Sequence, residues 1–239
     1  MRVLSFSEKG CIRKNNEDSF LILPAQGLYA VADGMGGHMA GEVASATALQ
    51  VLSKAGEQLM ALQDQALENG LNETFAQANK VIYKSSVTEP DKAGMGTTLT
   101  VMLVRGWTGV LAHVGDSRAY LWRDRTLTIL TSDHSLVGEL MRLGQISPEE
   151  AEKHPQRHML MRAVGANQEL EVDCRSIGLQ AGDVIFLCTD GLTNLISDQE
   201  LAAEFSQNIS WEDKFEELRQ LTIKRGAPDN FTALCCIME

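Results

Sequence analysis

The sequence predicts an α+β fold in which antiparallel sheets are covered by helices. Strand-like and helix-like segments come in blocks and do not alternate strictly β-α-β-α, and within the block over 97–130 the links between successive strand-like runs are short, which favours antiparallel neighbours. The third observation is continuity. The 239 residues contain five prolines and show no repeat, low-complexity tract or linker, so residues 1–239 read as one domain large enough for a substantial core.

Residues 3–6, 20–23 and 28–32 are short apolar runs separated by glycines and Asn/Asp turns, as in the strands of a meander. From Glu42 the period changes. Ala44, Ala48, Val51, Leu52, Ala55 and Leu59 recur every three to four residues, as do Leu67, Leu71, Phe75, Ala78 and Ile82, which gives two amphipathic helices. Strand character returns over 97–104, 109–114, 119–122 and 127–130, with tight turns between them that favour antiparallel neighbours. Residues 133–165 are polar and helix-prone, hold His134, His154 and His158, and read as a flap inserted between strands. Strands near 170–177 and 184–188, helices over 197–205 and 211–224, and a closing strand over 231–238 complete the chain.

Composition removes several classes of function. Hydrophobic residues at 44% and charged residues at 22% exclude wholesale disorder. The 21 Lys+Arg against 32 Asp+Glu leave a net charge of −11, the wrong sign for nucleic acid or an anionic membrane as partner. The five cysteines, Cys11, Cys174, Cys188, Cys235 and Cys236, have no Cys-x-x-Cys spacing, so they read as small buried apolar residues and not as a disulfide framework or zinc site. No apolar run approaches the roughly 18 residues of a membrane span, and the N-terminus is too polar for a signal peptide. A reducing, cytoplasmic setting is expected.

Three apolar runs end alike: residues 28–34 (LYAVADG), 110–117 (VLAHVGDS) and 184–191 (VIFLCTDG) deliver Asp33, Asp116 and Asp190 to a sheet edge. A single Asp-Gly is most simply a turn with Asp capping the next helix. Three buried strand ends carrying carboxylates are costly to desolvate unless something positive compensates them, and the repetition points to a shared cation. Asp229, before the last strand, and Asp18, five residues after Arg13, are further candidates. An all-oxygen set selects Mg²⁺ or Mn²⁺ over zinc or copper. Two such ions about 3.5–4 Å apart can share and acidify a water and neutralise a phosphoryl group, so the chemistry indicated is phosphate hydrolysis. The glycines at 34, 36 and 37 fit neither nucleotide fingerprint: no Gly-Lys-Ser/Thr follows, and Met39 stands where the third glycine of G-x-G-x-x-G belongs. Gly34 instead lets a backbone carbonyl approach a metal. Arg13 supplies a planar donor fork matched to phosphate oxygens.

Arg13 with Glu17 and Asp18, the 33–38 segment DGMGGH, the 94–98 segment GMGTT, the 115–118 segment GDSR, the 132–135 segment SDHS, the 189–192 segment TDGL and Asp229 with Asn230 together resemble the metal-dependent serine/threonine protein phosphatases of type 2C, in their compact bacterial form. The motifs occur in family order over residues 13–230. The resemblance implies an α-β-β-α sandwich, two antiparallel sheets face to face with helices outside, and a dinuclear Mn²⁺/Mg²⁺ centre between the sheets. It implies that Asp33 bridges both ions, that Gly34 binds one through its carbonyl, and that Asp190 and Asp229 complete the second. Asp116 with Asp190 resembles the pair that holds a third, weaker ion. Glu17 and Asp18 match acids acting mostly through water, Arg13 matches the phosphate-binding arginine, and residues 133–165 match the flap beside the active site.

One departure concerns proton delivery. Eukaryotic members carry a histidine directly after the Asp-Gly; here Met35 stands there and the nearest histidine is His38. His38 is either an aid to the leaving group and substrate, or a helix-start histidine bonded to backbone. His113, inside an apolar strand, reads as a packed residue, and Met95, Met102, Met159 and Met161 as core or flap filler. The expected activity is hydrolysis of phosphoserine and phosphothreonine in proteins by metal-activated water, without a phosphoenzyme. Expected partners are phosphorylated substrates and a cognate serine/threonine kinase, and the chain is expected to be a monomer. The alternatives are a phosphatase of small phosphoesters and a non-catalytic phosphoprotein-binding or sensing module. Loss of a metal carboxylate would mark the latter, and Asp33, Asp190 and Asp229 are all present.

Overall fold

The computed structural model describes residues 1–37 and 39–239, with the side chains of Asp64 and Glu152 left aside. In chain order the elements are β1 (Arg2–Glu8), β2 (Asp18–Leu23), β3 (Leu28–Met35), α1 (Ala40–Ala61), α2 (Asp64–Thr88), β4 (Gly96–Thr97), β5 (Leu99–Arg105), β6 (Thr108–Val114), β7 (Arg118–Arg123), β8 (Thr126–Ile129), α3 (Leu136–Arg142), α4 (Pro148–Glu152), β9 (Asp173–Gly178), β10 (Val184–Cys188), α5 (Asp190–Thr193), α6 (Asp198–Ser206), α7 (Trp211–Lys224) and β11 (Phe231–Ile237). One sheet has the order β1-β11-β10-β7-β8; the other runs β2-β3-β5-β6-β9, with β4 paired to β3. Every named pairing is antiparallel, as the block pattern predicts.

Four expectations need correction. The first strands form no meander, because β1 pairs with β11 in one sheet while β2 and β3 pair in the other. Likewise β6 and β7 are joined by only three residues yet lie in different sheets. A short link fixes proximity but not sheet membership, and residues 9–17 and 115–117 are crossings from one layer to the other. Finally, residues 170–172 lie before β9, and Cys11 is exposed on the first crossing, whereas Cys188, Cys235 and Cys236 are buried as expected.

Side-chain alternation along the strands builds the layers. Leu28, Ala30 and Ala32 of β3 pack outward with Ala44, Leu52, Leu71 and Phe75 of α1 and α2, whose three-to-four spacing supplies the covering face. Phe186 of β10 and Phe231 of β11 pack outward with Phe205 of α6 and Phe215 of α7. The intervening positions, Tyr29, Val31, Met102 and Leu111 from one sheet and Leu121, Ile185, Leu187 and Leu234 from the other, fill the space between the sheets. Each such fully buried side chain contributes about 1.5–3 kcal/mol.

The inner layer changes character along its length. The same alternation that points Tyr29 and Val31 inward also selects Asp33, and Asp18 stands directly opposite Asp33 in the ladder. Thr100 and His113 are likewise paired across β5 and β6, and both are buried. Thr189 and Thr232 continue the inward series of β10 and β11. One end of the inter-sheet layer is therefore hydrocarbon and the other is polar, and the crossings 9–17 and 115–117 run over the polar end. The flap, containing α3 and α4, is tied down beside it: His134 N–H donates to the Gly115 carbonyl at 2.7 Å, and Val164 and Thr97 exchange two backbone bonds of 2.9 Å. Met159 and Met161 of the flap are exposed, whereas Met95 and Met102 are core.

Candidate active site

Every predicted acid sits at or beside an end of a strand. Asp33 lies near the end of β3, Asp18 opens β2, Asp116 lies in the β6–β7 crossing, Asp190 is the first residue of α5, and Asp229 lies just before β11. Arg13 comes from the β1–β2 crossing, and its Nη2 donates to Asp229 Oδ2 at 2.8 Å. Arginine and acid, predicted to serve phosphate and metal separately, are thus joined directly. His38 lies outside the described residues.

The electrostatics of the cluster are those of too many carboxylates with too little compensation. Burial, first, and then the charges of Asp18, Asp190 and Asp116 hold the Asp33 carboxyl well above the usual range. Burial and the Asp190 charge do the same to Asp116. Asp190 is raised by burial, although its contact with Asp33, the Asn194 amide and the flap imidazole of His158 act in the opposite direction. The Asp33 and Asp190 carboxyls act on one another, Asp190 raising Asp33 and Asp33 lowering Asp190, so they titrate as a pair. Asp18 is raised mainly by burial; its Oδ2 accepts from Thr189 Oγ1 at 2.8 Å, while its buried Oδ1 has no protein partner. Among the described residues no ion pair reaches Asp18, Asp33, Asp116 or Asp190.

This donor set fits hard divalent cations. Among the described residues no three His, Cys, Asp or Glu side chains close around one point. Ions of the magnesium type do not require it, because they keep several waters and take one or two carboxylates each. A carbonyl donor is also in place: a Cβ at Gly41 would lie 2.7 Å from the Gly34 carbonyl oxygen and 2.6 Å from Glu17 Oε2. Glycine at 41 therefore keeps clear a space shared by two oxygen donors.

Further residues hold the cluster that composition alone does not single out. Thr98 Oγ1 accepts from Asp33 N–H at 2.9 Å and meets Ser117 Oγ at 2.8 Å, linking Asp33 to the neighbour of Asp116. Thr98 N–H donates to the Asp33 carbonyl, and at this residue the run predicted over 97–104 divides into β4 and β5. Asn194 Nδ2 donates to Asp190 Oδ2 at 3.0 Å. Asn230 N–H donates to Asp229 Oδ1 at 2.8 Å. Arg118 grips Asp133 at the flap root with bonds of 2.7–3.2 Å. His113 is no ligand: buried between Thr100 Oγ1 at 2.9 Å and the Ser132 carbonyl at 3.2 Å, it is pushed down to about 3 by burial and by the nearby His134. A cleft of about 510 Å³ opens beside the acids, lined by Arg13, Lys14, Asn15, Glu17, Gly36, Met39 and Asn230.

Residues 2–143 match the protein phosphatase 2C family. The chain belongs to that family. It is 40% identical over 232 residues to serine/threonine phosphatase stp of Listeria monocytogenes, covering 95% of this chain and 92% of the relative. Its fold superposes on the crystal structure of the Mycobacterium tuberculosis serine/threonine phosphatase PstP/Ppp with a TM-score of 0.88 at 38% identity, covering 100% of this chain and 99% of that one. It also matches the catalytic domain of serine threonine protein phosphatase PstP in complex with two manganese ions, with a TM-score of 0.86 at 36% identity over 100% and 98% of the chains. As a protein phosphatase 2C, the chain has two antiparallel sheets flanked by helices and carries its acids at one end of the space between them.

Proposed function

We propose that this phosphatase 2C hydrolyses phosphoserine and phosphothreonine in proteins at the cleft that Arg13 lines, by direct attack of water. The observation that carries the proposal is the convergence of Asp18, Asp33, Asp116 and Asp190, without ion-pair partners among the described residues, beside an arginine fork that lines an open cleft. Asp33, Asp190, Asp229 and the Gly34 carbonyl would hold two Mn²⁺ or Mg²⁺ ions, and Asp116 with Asp190 a third. When bound, these ions supply an acidified water and the positive charge that phosphoryl transfer requires.

The chain's own residues do the rest. Arg13 uses Nη2 on Asp229 and presents its remaining donors to the phosphate oxygens, fixing the phosphorus in the cleft. Asp18, oriented by Thr189, keeps Oδ1 as an acceptor for water. Thr98 fixes the Asp33 backbone on both its N–H and its carbonyl, so the carboxylate is delivered at a set position. We assign protonation of the leaving alkoxide to His38. The remaining parts of the proposal are a single catalytic domain over 1–239, a cognate serine/threonine kinase, a monomeric state and a cytoplasmic setting.

The test is phosphate release from a phosphothreonine peptide. Turnover with Mn²⁺ is expected to vanish on chelation and in Asp190→Ala; activity that survives both overturns the metal-dependent reading. Faster hydrolysis of nucleotides than of the peptide would replace the protein substrate with a small phosphoester.

A further inference from the structure

Asn230 is the fastening point of the loop that carries Arg13. Its Oδ1 accepts from Glu17 N–H at 2.8 Å, and its Nδ2 donates to the Lys9 carbonyl at 2.8 Å and the Asn15 carbonyl at 2.9 Å. The side-chain amide thus reaches both ends of residues 9–17 across more than two hundred residues of sequence, and it is itself nearly buried. The two halves of that loop are not equally secured. Glu17 has independent anchors, its carbonyl accepting from Gly34 N–H at 3.1 Å and Ser45 Oγ at 2.7 Å. Among the described residues the Arg13 half has, besides Asn230, a backbone bond from Cys11 N–H to the Ala227 carbonyl at 2.8 Å, the Arg13–Asp229 pair itself and, at its far end, a bond of 2.9 Å from Asn16 Nδ2 to Ser7 Oγ. Gly10 makes this seam close enough to work: at φ +76° its missing Cβ would lie 2.2 Å from the Asp229 carbonyl oxygen.

We infer that Asn230 is a positioning residue for phosphate binding, acting through Arg13: it holds the 9–16 segment so that the guanidinium faces the cleft. The inference rests on the reading of Arg13 as the phosphate-binding residue. The backbone N–H of Asn230, not its side chain, donates to Asp229, so replacing the side chain leaves that carboxylate's own bond in place.

The experiment is a cycle of Asn230→Ser, Arg13→Ala and the double variant, each checked by thermal melting. The readouts are KM and kcat for a phosphothreonine peptide, inhibition by inorganic phosphate, and the Mn²⁺ concentration for half-maximal activity. Asn230→Ser is expected to raise KM and the phosphate inhibition constant about tenfold, to change kcat less, and to leave the Mn²⁺ requirement unchanged. Added to Arg13→Ala it is expected to cost nothing more, because both changes remove the same interaction. Fully additive losses, or a raised Mn²⁺ requirement with unchanged phosphate inhibition, would overturn the inference. If Arg13→Ala alone left phosphate inhibition unchanged, the Arg13 reading would fall, and the inference with it. Should Asn230→Ser not fold, Gly10→Ala disturbs the same seam and must show the same signature and the same silence on the Arg13→Ala background.

Discussion

Strand β10 has an aspartate just outside each of its ends, and the fold treats the two in opposite ways. Asp183, before the strand, is fully buried, and its carboxylate takes Arg123 Nε at 2.8 Å, Arg123 Nη2 at 2.6 Å and Gln180 N–H at 2.8 Å. Asp190, after the strand, keeps some exposure, receives an amide bond from Asn194, and faces other carboxylates. The less buried acid is the worse satisfied. Burial alone therefore does not mark a functional carboxylate in this protein. The mark is a desolvated carboxylate that no counter-charge among the described residues pairs with.

The largest expected effect comes from removing one of the uncompensated acids. Asp190→Asn should lower peptide phosphatase kcat/KM by at least about a thousandfold, roughly 4 kcal/mol, while raising the melting temperature of the metal-free protein, because a like charge leaves the cluster. Concurrent loss of activity and of metal-free stability would erase the contrast with Asp183. Asp183→Asn should do the converse. Unfolding free energy in a denaturant titration should fall by about 2–3 kcal/mol as Arg123 loses its charged partner, with kcat/KM per folded molecule unchanged.

The third way to sharpen the contrast is pH. With its folded pKa raised to about 7 against 3.8 for an ordinary aspartate, Asp18 binds more proton when folded; its contribution is present at low pH and is lost as pH rises through about 7. His113, lowered from 6.5 to about 3, works with the opposite sign: its contribution is complete above pH 6.5 and is lost as pH falls toward 3. Comparing melts with and without Mn²⁺ at each pH cancels the His113 contribution. Stabilisation by Mn²⁺ should be larger at pH 7.5 than at pH 5.5, with protons released on binding; equal stabilisation at both would contradict the raised carboxyls. The smallest effect belongs to a pair that water already compensates. Arg142→Ala, which removes the exposed bond to Glu139 on the flap, should change stability by less than about 0.5 kcal/mol and leave kcat/KM intact.

The sequence makes some of this site readable and hides the rest for a physical reason. Asp33, Asp116 and Asp190 stand out because each ends an apolar run, a local signal of cost without visible compensation. Helix α2 shows itself through Leu67 to Ile82, but its last turn up to Thr88 carries too few apolar residues to announce itself. Thr98, Thr189 and Asn230 fall in segments that carry the family resemblance, but by local pattern they are ordinary strand and turn residues, since their meaning lies in partners far away: Thr189 meets Asp18 across 171 positions, and Asn230 meets Glu17 across 213. No local period encodes such a pairing. Nor does loop length reveal that residues 115–117 change sheets: so short a connection favours antiparallel neighbours, and a crossing is found.

The two-toned filling between the sheets has a mechanical meaning. At the Tyr29 and Leu187 end the layers are glued by hydrocarbon, and at the Asp33 and Thr189 end they are not. Divalent ions seated at that second end would act as rivets as well as reagents, so that cohesion of the sheets and turnover of phosphate would be served by the same few atoms.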